Sequence, residues 1–193
     1  MMVMDGRDIS VEVTHLRRGN HPPHTKHHAK QPILLECPHI SSGYYRYLYL
    51  SVGRDYLWCD RSMLDDEALM RLIHAPNTRI FHILVDGEPA GFFETSRDDD
   101  GPRMLTYFGL LPSFTGRGLG PWLLDQAILV MLEDNPPMLG VETCNLDHPR
   151  ALLTYQTAGF EPFARESRML HVPKDFNQLS LSPDVTQKGS NPS

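Results

Sequence analysis

The sequence predicts an α/β (α+β) fold in which a mixed, mostly antiparallel central sheet carries helices on both faces. Residues 79–96 have the pattern of a hairpin around Asp86-Gly87, and the first strand of that hairpin is apolar on both sides. A third strand, 105–108, leads into a glycine-rich turn and an apolar helix. Because a strand that is apolar on both sides must be covered on both sides, the sheet is expected to lie between two helical layers.

Length and composition favour one domain and argue against nucleic-acid and membrane partners. The chain has 193 residues, of which 40% are hydrophobic, and its net charge is −6. No basic face is visible, which argues against nucleic acid, and the acidic balance is compatible with an amine partner or with a plain acidic surface. Three cysteines without C-x-x-C spacing predict free thiols in a reducing cytoplasm. No apolar run resembles a signal peptide or a membrane span, so no membrane partner is expected.

The first 31 residues are predicted to be a variable N-terminal segment. Residues 9–13 alternate apolar and polar side chains, which favours a short strand. A polar, histidine-rich stretch follows at 19–31. Its imidazoles are compatible with a metal site, but nothing fixes a ligand count, so a loop without fixed geometry and no metal are predicted. The histidines are His21, His24, His27 and His28.

Two helices and a strand are predicted between residues 32 and 78. Ser41 or Ser42 is placed to cap a helix that carries four tyrosines, and Asp65 is placed to cap a second helix. Leu69, Leu72 and Ile73 are expected to form the apolar stripe of the second helix. The predicted bounds are 32–37 for the strand and 43–52 and 65–73 for the helices.

After the glycine turn the pattern predicts strand, helix, strand and a tail. Asp147 or His148 is expected to cap the short helix. The last 21 residues offer little to bury, which predicts a disordered tail. The predicted bounds are 139–144 for the strand, 150–158 for the helix, 163–172 for the last strand and 173–193 for the tail.

The turn at 115–120 has the layout of an anion site. Glycines allow the backbone to close around a phosphate, and the N–H groups of the following helix point at it. Arg117 adds a charged donor. The P-loop pattern is excluded because Gly120 is followed by Pro121-Trp122 rather than Lys and Ser or Thr. A dinucleotide fold is excluded because the preceding strands are antiparallel.

Two motifs together resemble the GNAT superfamily of N-acetyltransferases. The turn is similar to the pyrophosphate motif Gln/Arg-x-x-Gly-x-Gly/Ala through Gly118 and Gly120, with Thr115 at the Gln/Arg position. Residues 145–160 resemble the second signature, Asn-x-x-Ala-x-x-Leu-Tyr-x-x-x-Gly-Phe. Its matches are Ala151, Tyr155, Gly159 and Phe160, and its departures are His148 and Thr154. The resemblance covers about residues 32–172 and is closest to bacterial-type enzymes of unassigned substrate.

The resemblance implies that acetyl-CoA lies in a V-shaped gap between two splayed parallel strands. One strand ends at Leu111 and the other spans 141–144, with Gly109 expected at a bulge that frees backbone groups for the pantetheine arm. The diphosphate would lie on the glycine turn. The implied coenzyme-binding residues are Leu110, Leu111, Thr115, Gly116, Arg117, Gly118, Leu119, Gly120, Asn145 and His148.

The resemblance also suggests catalytic residues. Tyr155 is the candidate general acid for the leaving thiolate, because a phenol with a pKa of about 10 is protonated at neutral pH. Glu94 is the first candidate base for the attacking amine and Glu142 the second, although each is also compatible with a salt-bridged strand residue. The candidate acceptor-binding residues, which could equally be core, are Tyr44, Tyr47, Arg54 and Trp58.

The leading functional prediction is acetyl transfer from acetyl-CoA to a primary amine of a small molecule, by direct attack in a ternary complex. A covalent route through Cys144 ranks below it because no His–Cys pairing is visible. Two alternatives stay open: acetylation of a protein or peptide amine, and a non-catalytic acyl-CoA-binding module. A homodimer is compatible with the family, and no metal is expected.

Overall fold

The computed structural model of the protein describes residues 5–23, 32–97 and 100–176. Within these residues, seven strands and four α-helices confirm the predicted α/β fold. The strands are β1 (Gly6–Arg18), β2 (Ile33–Glu36), β3 (Arg79–Val85), β4 (Glu88–Arg97), β5 (Arg103–Leu110), β6 (Leu139–Cys144) and β7 (Glu161–Pro173). The helices are α1 (Ser42–Gly53), α2 (Asp66–Ile73), α3 (Leu119–Leu132) and α4 (Ala151–Thr157).

The strands form one mixed sheet in the order β2-β3-β4-β5-β6-β1-β7. Every neighbouring pair is antiparallel except β5 and β6, which are parallel. The hairpin predicted at 79–96 is β3–β4, and its turn places Asp86 and Gly87 at positive φ (54° and 87°). A parallel pair needs a crossover connection, and α3 supplies it between β5 and β6.

Two hydrophobic cores cover the two faces of the sheet, as the apolar pattern of β3 predicts. Phe93 of β4 packs in one core with α3 and α4, and its neighbour Phe92 packs in the other core with α1 and α2. Side chains of successive strand residues point to opposite faces, so this central strand serves both cores. Burying one such side chain fully contributes about 1.5–3 kcal/mol, which makes β4 a main source of stability.

The N-terminal strand is much longer than the predicted strand at 9–13. β1 spans Gly6–Arg18 and lies between β6 and β7, antiparallel to both. The N-terminal segment therefore contributes an integral strand to the sheet. Residues 24–31 of the histidine-rich stretch lie outside the described part of the chain.

The capping residues predicted from the sequence are correct for α1 and α2 and only partly correct for α4. The side chains of Ser41 and Asp65 accept from backbone N–H groups at the starts of α1 and α2, which confirms both predicted caps. Arg150 holds the N-cap position of α4 without a side-chain bond. Of the two predicted caps, Asp147 turns back toward β6, whereas Nδ1 of His148 accepts from the Arg150 N–H (3.2 Å) just before the helix. The predicted apolar stripe of α2 is buried only in part: Leu69 and Ile73 are buried, whereas Leu72 is 42% exposed.

The last described residues pack on the domain. Phe176, which belongs to the stretch predicted as a tail, is 1% exposed and lies in the core beside α1. Residues 177–193 lie outside the described part of the chain. No helix among the described residues has the length and apolar character that a membrane crossing requires.

Candidate active site

A V-shaped gap opens between β5 and β6. The two strands pair over three positions only, from Arg103 opposite Leu139 to Leu105 opposite Val141. Beyond this point β5 continues along β4 to Leu110, whereas β6 continues along β1. The strands thus separate toward their carboxyl ends, which is the gap that the resemblance implies.

The bulge that accompanies the gap lies at Thr106, not at the predicted Gly109. The β4–β5 register shifts between Glu94 and Thr95, which leaves Thr106 as the extra residue of β5. Gly109 stays in regular pairing. A Cβ at Gly109 would lie 2.4 Å from Cγ1 of Val52, so this glycine permits the close approach of α1 rather than a bulge.

Of the two backbone positions predicted to face the gap, only Leu110 does so. The Leu111 N–H donates to the Ala90 carbonyl (2.9 Å), and the Leu111 carbonyl accepts from the Phe114 N–H (2.9 Å). Both backbone groups of Leu111 are therefore hydrogen-bonded within the protein. Because the N–H groups of successive strand residues alternate in direction, those of Leu110 and Phe108 point away from β4 and toward the gap.

The glycine turn presents main-chain donors at the start of α3. Gly116 and Gly118 have positive φ (73° and 78°), and Gly118 is the N-cap residue of this 14-residue helix. No hydrogen-bond acceptor for the N–H groups of Gly116, Gly118, Leu119 or Gly120 is found in the described residues. Thr115 contributes less than predicted, because its N–H donates to the Pro112 carbonyl at 3.3 Å.

The turn has room for a diphosphate. Residues 115–118 are exposed, and a Cβ at Gly116 would meet no atom within 4 Å. The Arg117 guanidinium lies over the Phe114 ring, 5.0 Å from its centre, at the same turn. Free donors, a helix N-terminus and a nearby cation together match the charge of a diphosphate.

Tyr155 lies on α4, on the same face of the sheet as α3. Its side chain is 6% exposed and packs against the rings of Phe108 (6.0 Å) and Phe160 (6.1 Å). Burial and, secondarily, the Asp147 charge raise the pKa of this phenol well above its ordinary value. Among the described residues no group hydrogen-bonds to its hydroxyl. Tyr155 is thus a protonated donor with its hydroxyl uncommitted.

Asp147 joins the site although the sequence pattern suggested only a helix cap. Its Oδ2 accepts from the Thr143 hydroxyl (2.8 Å) and from the Cys144 N–H (2.9 Å). Its Oδ1 lies 3.5 Å from the indole Nε1 of Trp58. A carboxylate directly after β6, beside the gap, was the available signal, since strand ends carry functional groups in sheets of this kind.

Glu94, the first candidate base, is enclosed in a polar cluster beneath α1. Its side chain is fully buried, and it accepts from the Tyr45 hydroxyl (2.6 Å) and from Arg61 (2.8 Å). Burial raises the pKa of Glu94, and Arg61 and Tyr45 offset part of this rise. Both of its oxygens are engaged by protein donors.

Glu142 and Asn145 face β1 rather than the gap. Glu142 forms ion pairs with His15 of β1 (3.2 Å) and Arg168 of β7 (3.1 Å). The Asn145 side-chain oxygen accepts from the Glu12 N–H at 2.9 Å. The structure therefore brings neither side chain together with Tyr155.

Aromatic side chains form a wall on the α1 side of β5. Trp58 packs against Tyr107 of β5 (5.1 Å), and Tyr56 packs edge-on against His148 (6.3 Å). Arg54 begins the 3-10 turn that holds Tyr56. This wall brings Trp58 and His148 beside Asp147.

Two predicted acceptor-binding residues lie elsewhere. Tyr44 stacks on Tyr47 (6.0 Å), and its hydroxyl lies 2.8 Å from Nδ1 of His82 on β3. Both tyrosines therefore pack over the β3 side of the sheet. No group of three or more His, Cys, Asp or Glu side chains suited to a metal ion is found among the described residues.

Comparison with solved structures finds the same fold in several acetyltransferases. A GCN5-related N-acetyltransferase from Kribbella flavida is 18% identical with a TM-score of 0.59, over 87% of this chain and 60% of that one. A GNAT-family acetyltransferase from Novosphingobium aromaticivorans is 13% identical with a TM-score of 0.55, over 83% and 64%. An aminoglycoside acetyltransferase from an uncultured soil sample is 14% identical with a TM-score of 0.52, over 66% and 86%.

The chain is thus shorter than the first two structures, of which it spans less than two thirds. None of the curated proteins compared with the sequence matches it. A model of the acetyltransferase (GNAT) family matches residues 40–160, which include β5, the glycine turn, α3, β6 and α4. On this match, the chain belongs to the GNAT acetyltransferase family.

Proposed function

We propose that the chain transfers the acetyl group of acetyl-CoA to a primary amine of a small molecule, by direct attack in a ternary complex. The observation that carries this proposal is the gap between β5 and β6, which has uncommitted main-chain donors at one end and Tyr155 at its side. The donors suit a diphosphate and the gap suits an extended pantetheine arm. The alternative, a module that only binds acyl-CoA, needs no acid at this position.

The backbone of Leu110 is proposed to polarise the acetyl carbonyl. Its N–H points into the gap, in a place where β6 no longer pairs with β5. A fixed donor at a developing oxyanion contributes about 3–4 kcal/mol to transition-state stabilisation. The N–H groups of Gly116–Gly120 would hold the diphosphate and so set the depth at which the thioester lies.

Tyr155 is proposed to protonate the sulfur as it leaves. The raised pKa keeps the phenol protonated at neutral pH, and burial against Phe108 keeps it at the wall of the gap. A positioned general acid of this kind contributes a factor of about 10²–10⁴ to the rate.

A covalent acetyl-cysteine route is disfavoured by the environment of Cys144. Burial and the Asp147 charge raise the pKa of the Cys144 thiol. A thiol with a raised pKa supplies little thiolate at neutral pH, and thiolate is the nucleophilic form. Direct attack by the amine therefore fits this site better.

Release of CoA thiol from acetyl-CoA tests the proposal, with a panel of alkylamines, polyamines, aminoglycosides, amino acids and peptides. Release with a small amine, together with acetylated amine by mass spectrometry, is the expected result. Modification of peptides alone would transfer the assignment to protein acetylation. Acetyl-CoA binding by calorimetry without release on any acceptor would overturn the enzymatic proposal in favour of the binding module.

A further inference from the structure

Asp147 is a half-buried carboxylate without a cationic partner. Within the described residues, no Lys, Arg or His lies within ion-pair distance of it, whereas Glu94 and Glu142 are both paired. A carboxylate removed from water is stabilised by a cation or by several donors. Asp147 is thus held by donors but has no cation among the described residues, which leaves the carboxylate able to pair with the ammonium group of a ligand.

The two oxygens of Asp147 have different environments. Oδ2 is held by two donors, the Thr143 hydroxyl and the Cys144 N–H. Oδ1 has only the Trp58 indole N–H, at the long distance of 3.5 Å. One oxygen thus fixes the carboxylate to the end of β6, and the other keeps capacity to accept a further hydrogen bond.

The Asp147 carboxylate lies near Trp58 and acts electrostatically on two tyrosines. Trp58 lies on one side, and the Asp147 charge adds to the effect of burial in raising the pKa of both Tyr56 and Tyr155. The indole of Trp58 presents its N–H edge to Oδ1, so the carboxylate lies at the rim of the aromatic wall. The charge of Asp147 thus acts on both the aromatic wall and the proposed acid.

We propose that Asp147 binds the ammonium group of the acceptor through Oδ1 and takes a proton from it. This inference rests on the proposed function and extends it, because it names the base and predicts a cationic acceptor that approaches between Trp58 and Tyr155. Glu94 is unsuited to the same role, since its carboxylate is fully buried under Tyr45 and Arg61.

Proton transfers accompany both the formation of the N–C bond and the cleavage of the C–S bond. The ammonium gives one proton to Asp147, and the neutral nitrogen forms the N–C bond at the thioester carbonyl carbon while the C–S bond breaks. Tyr155 gives its proton to the leaving sulfur, and the second proton of the nitrogen returns to the phenolate through water. The products are the N-acetyl amine and CoA thiol, and Asp147 releases one net proton to solvent.

Weakly basic amines distinguish a catalytic base from a structural residue, because they need not lose a proton before attack. Asp147→Asn is compared with wild type using the panel amine of highest turnover and using 2,2,2-trifluoroethylamine, which is largely unprotonated at neutral pH. The variant is expected to lose about 100-fold or more in kcat/KM with the basic amine. With trifluoroethylamine it is expected to lose less than about 10-fold, because that nucleophile has no proton to surrender before attack.

Two further variants complete the test. Asp100→Asn removes an exposed carboxylate that precedes β5, at the opposite end of this strand from the gap, and is expected to leave both rates within about two-fold of wild type. Thr143→Val removes one of the donors that hold Oδ2. Its kcat/KM is expected to fall less than that of Asp147→Asn, and again to fall more with the basic amine than with trifluoroethylamine. This variant supplies the comparison if Asp147→Asn does not fold. Calorimetric affinity for acetyl-CoA is expected to be unchanged in all three.

Three results would overturn the inference. Equal losses with both amines would make Asp147 a structural residue. Unchanged rates in Asp147→Asn would exclude it from the reaction. No thiol release by the wild type with any panel amine would remove the proposed function itself, and the role of Asp147 with it.

Discussion

The two walls of the gap are built in different ways. The wall proposed for the coenzyme (the coenzyme wall) is main chain from one continuous stretch, β5 to the start of α3, and the residues of its glycine turn are exposed. The wall proposed for the acceptor (the acceptor wall) consists of side chains from distant parts of the sequence, with Tyr107, Trp58 and Asp147 brought together by the fold. A main-chain site is therefore specified locally, whereas a side-chain site depends on packing across the whole sheet.

The acceptor wall also rests on a buried charge pair, and the coenzyme wall does not. Beneath Trp58 and Tyr107, Arg61 pairs with Glu94 and lies over the Tyr107 ring at 5.4 Å. The Nε of Arg61 is enclosed without a partner among the described residues. The acceptor wall is therefore expected to be sensitive to single changes far from the chemistry.

The largest effect is expected where the two walls meet, in Tyr155→Phe. Loss of the proton donor should lower kcat by about 10²–10⁴-fold. The affinity for acetyl-CoA should change little, because the phenol contributes to the leaving group and not to the diphosphate site. Steady-state kinetics and calorimetry on the same preparation check both statements, and turnover like that of wild type would exclude the acid role.

Arg61→Leu tests whether the acceptor wall depends on its buried pair. Leaving Glu94 uncompensated should lower the free energy of unfolding by about 3–5 kcal/mol, measured by urea denaturation. The matched control is Arg71→Leu, which removes an exposed pair with Glu67 on α2 and should cost no more than about 0.5 kcal/mol. Adding Glu94→Gln to Arg61→Leu should restore part of the loss. Equal costs for the two arginines would contradict the comparison.

A pair of glycines tests the coenzyme wall. A Cβ meets no atom within 4 Å at either Gly116 or Gly43, but only Gly116 has positive φ (73°). Gly116→Ala should destabilise by about 1–2 kcal/mol and weaken acetyl-CoA binding, because the turn must adopt a left-handed residue. Gly43→Ala, within α1, should stabilise by about 0.5–1 kcal/mol and leave binding unchanged. Equal acetyl-CoA affinity in the two variants would indicate that the turn does not bind the coenzyme.

The last prediction concerns the pH dependence of kcat, which should not fall in moderately alkaline solution. The pKa of Tyr155 lies above its ordinary value of about 10, so loss of the acidic proton begins only above that pH. The kcat–pH profile should therefore show no descending limb from this group below pH of about 10. A limb in that range that disappears in Tyr155→Phe would contradict the assigned environment.

Prediction from sequence succeeded where one short stretch contains the whole signal. The hairpin around Asp86-Gly87 and the caps at Ser41 and Asp65 depend on neighbours within four residues, and all three are confirmed. The full length of β1 could not be predicted, because its partners β6 and β7 lie more than 100 residues away. The bulge was placed at Gly109 because a glycine is the usual local sign, whereas the approach of α1 accounts for that residue.

The proposed coenzyme wall could be predicted from the sequence, since strand, glycine turn and helix start are contiguous and their chemistry is that of the backbone. The surroundings of the three carboxylates became visible only in the folded chain, which encloses Glu94 with Arg61 and turns Glu142 toward β1. It places Asp147 beside Trp58, without a cationic partner among the described residues. The physical reason is that a carboxylate's role depends on which donors and charges surround it. Those neighbours come from strands and turns that only the folded sheet brings together.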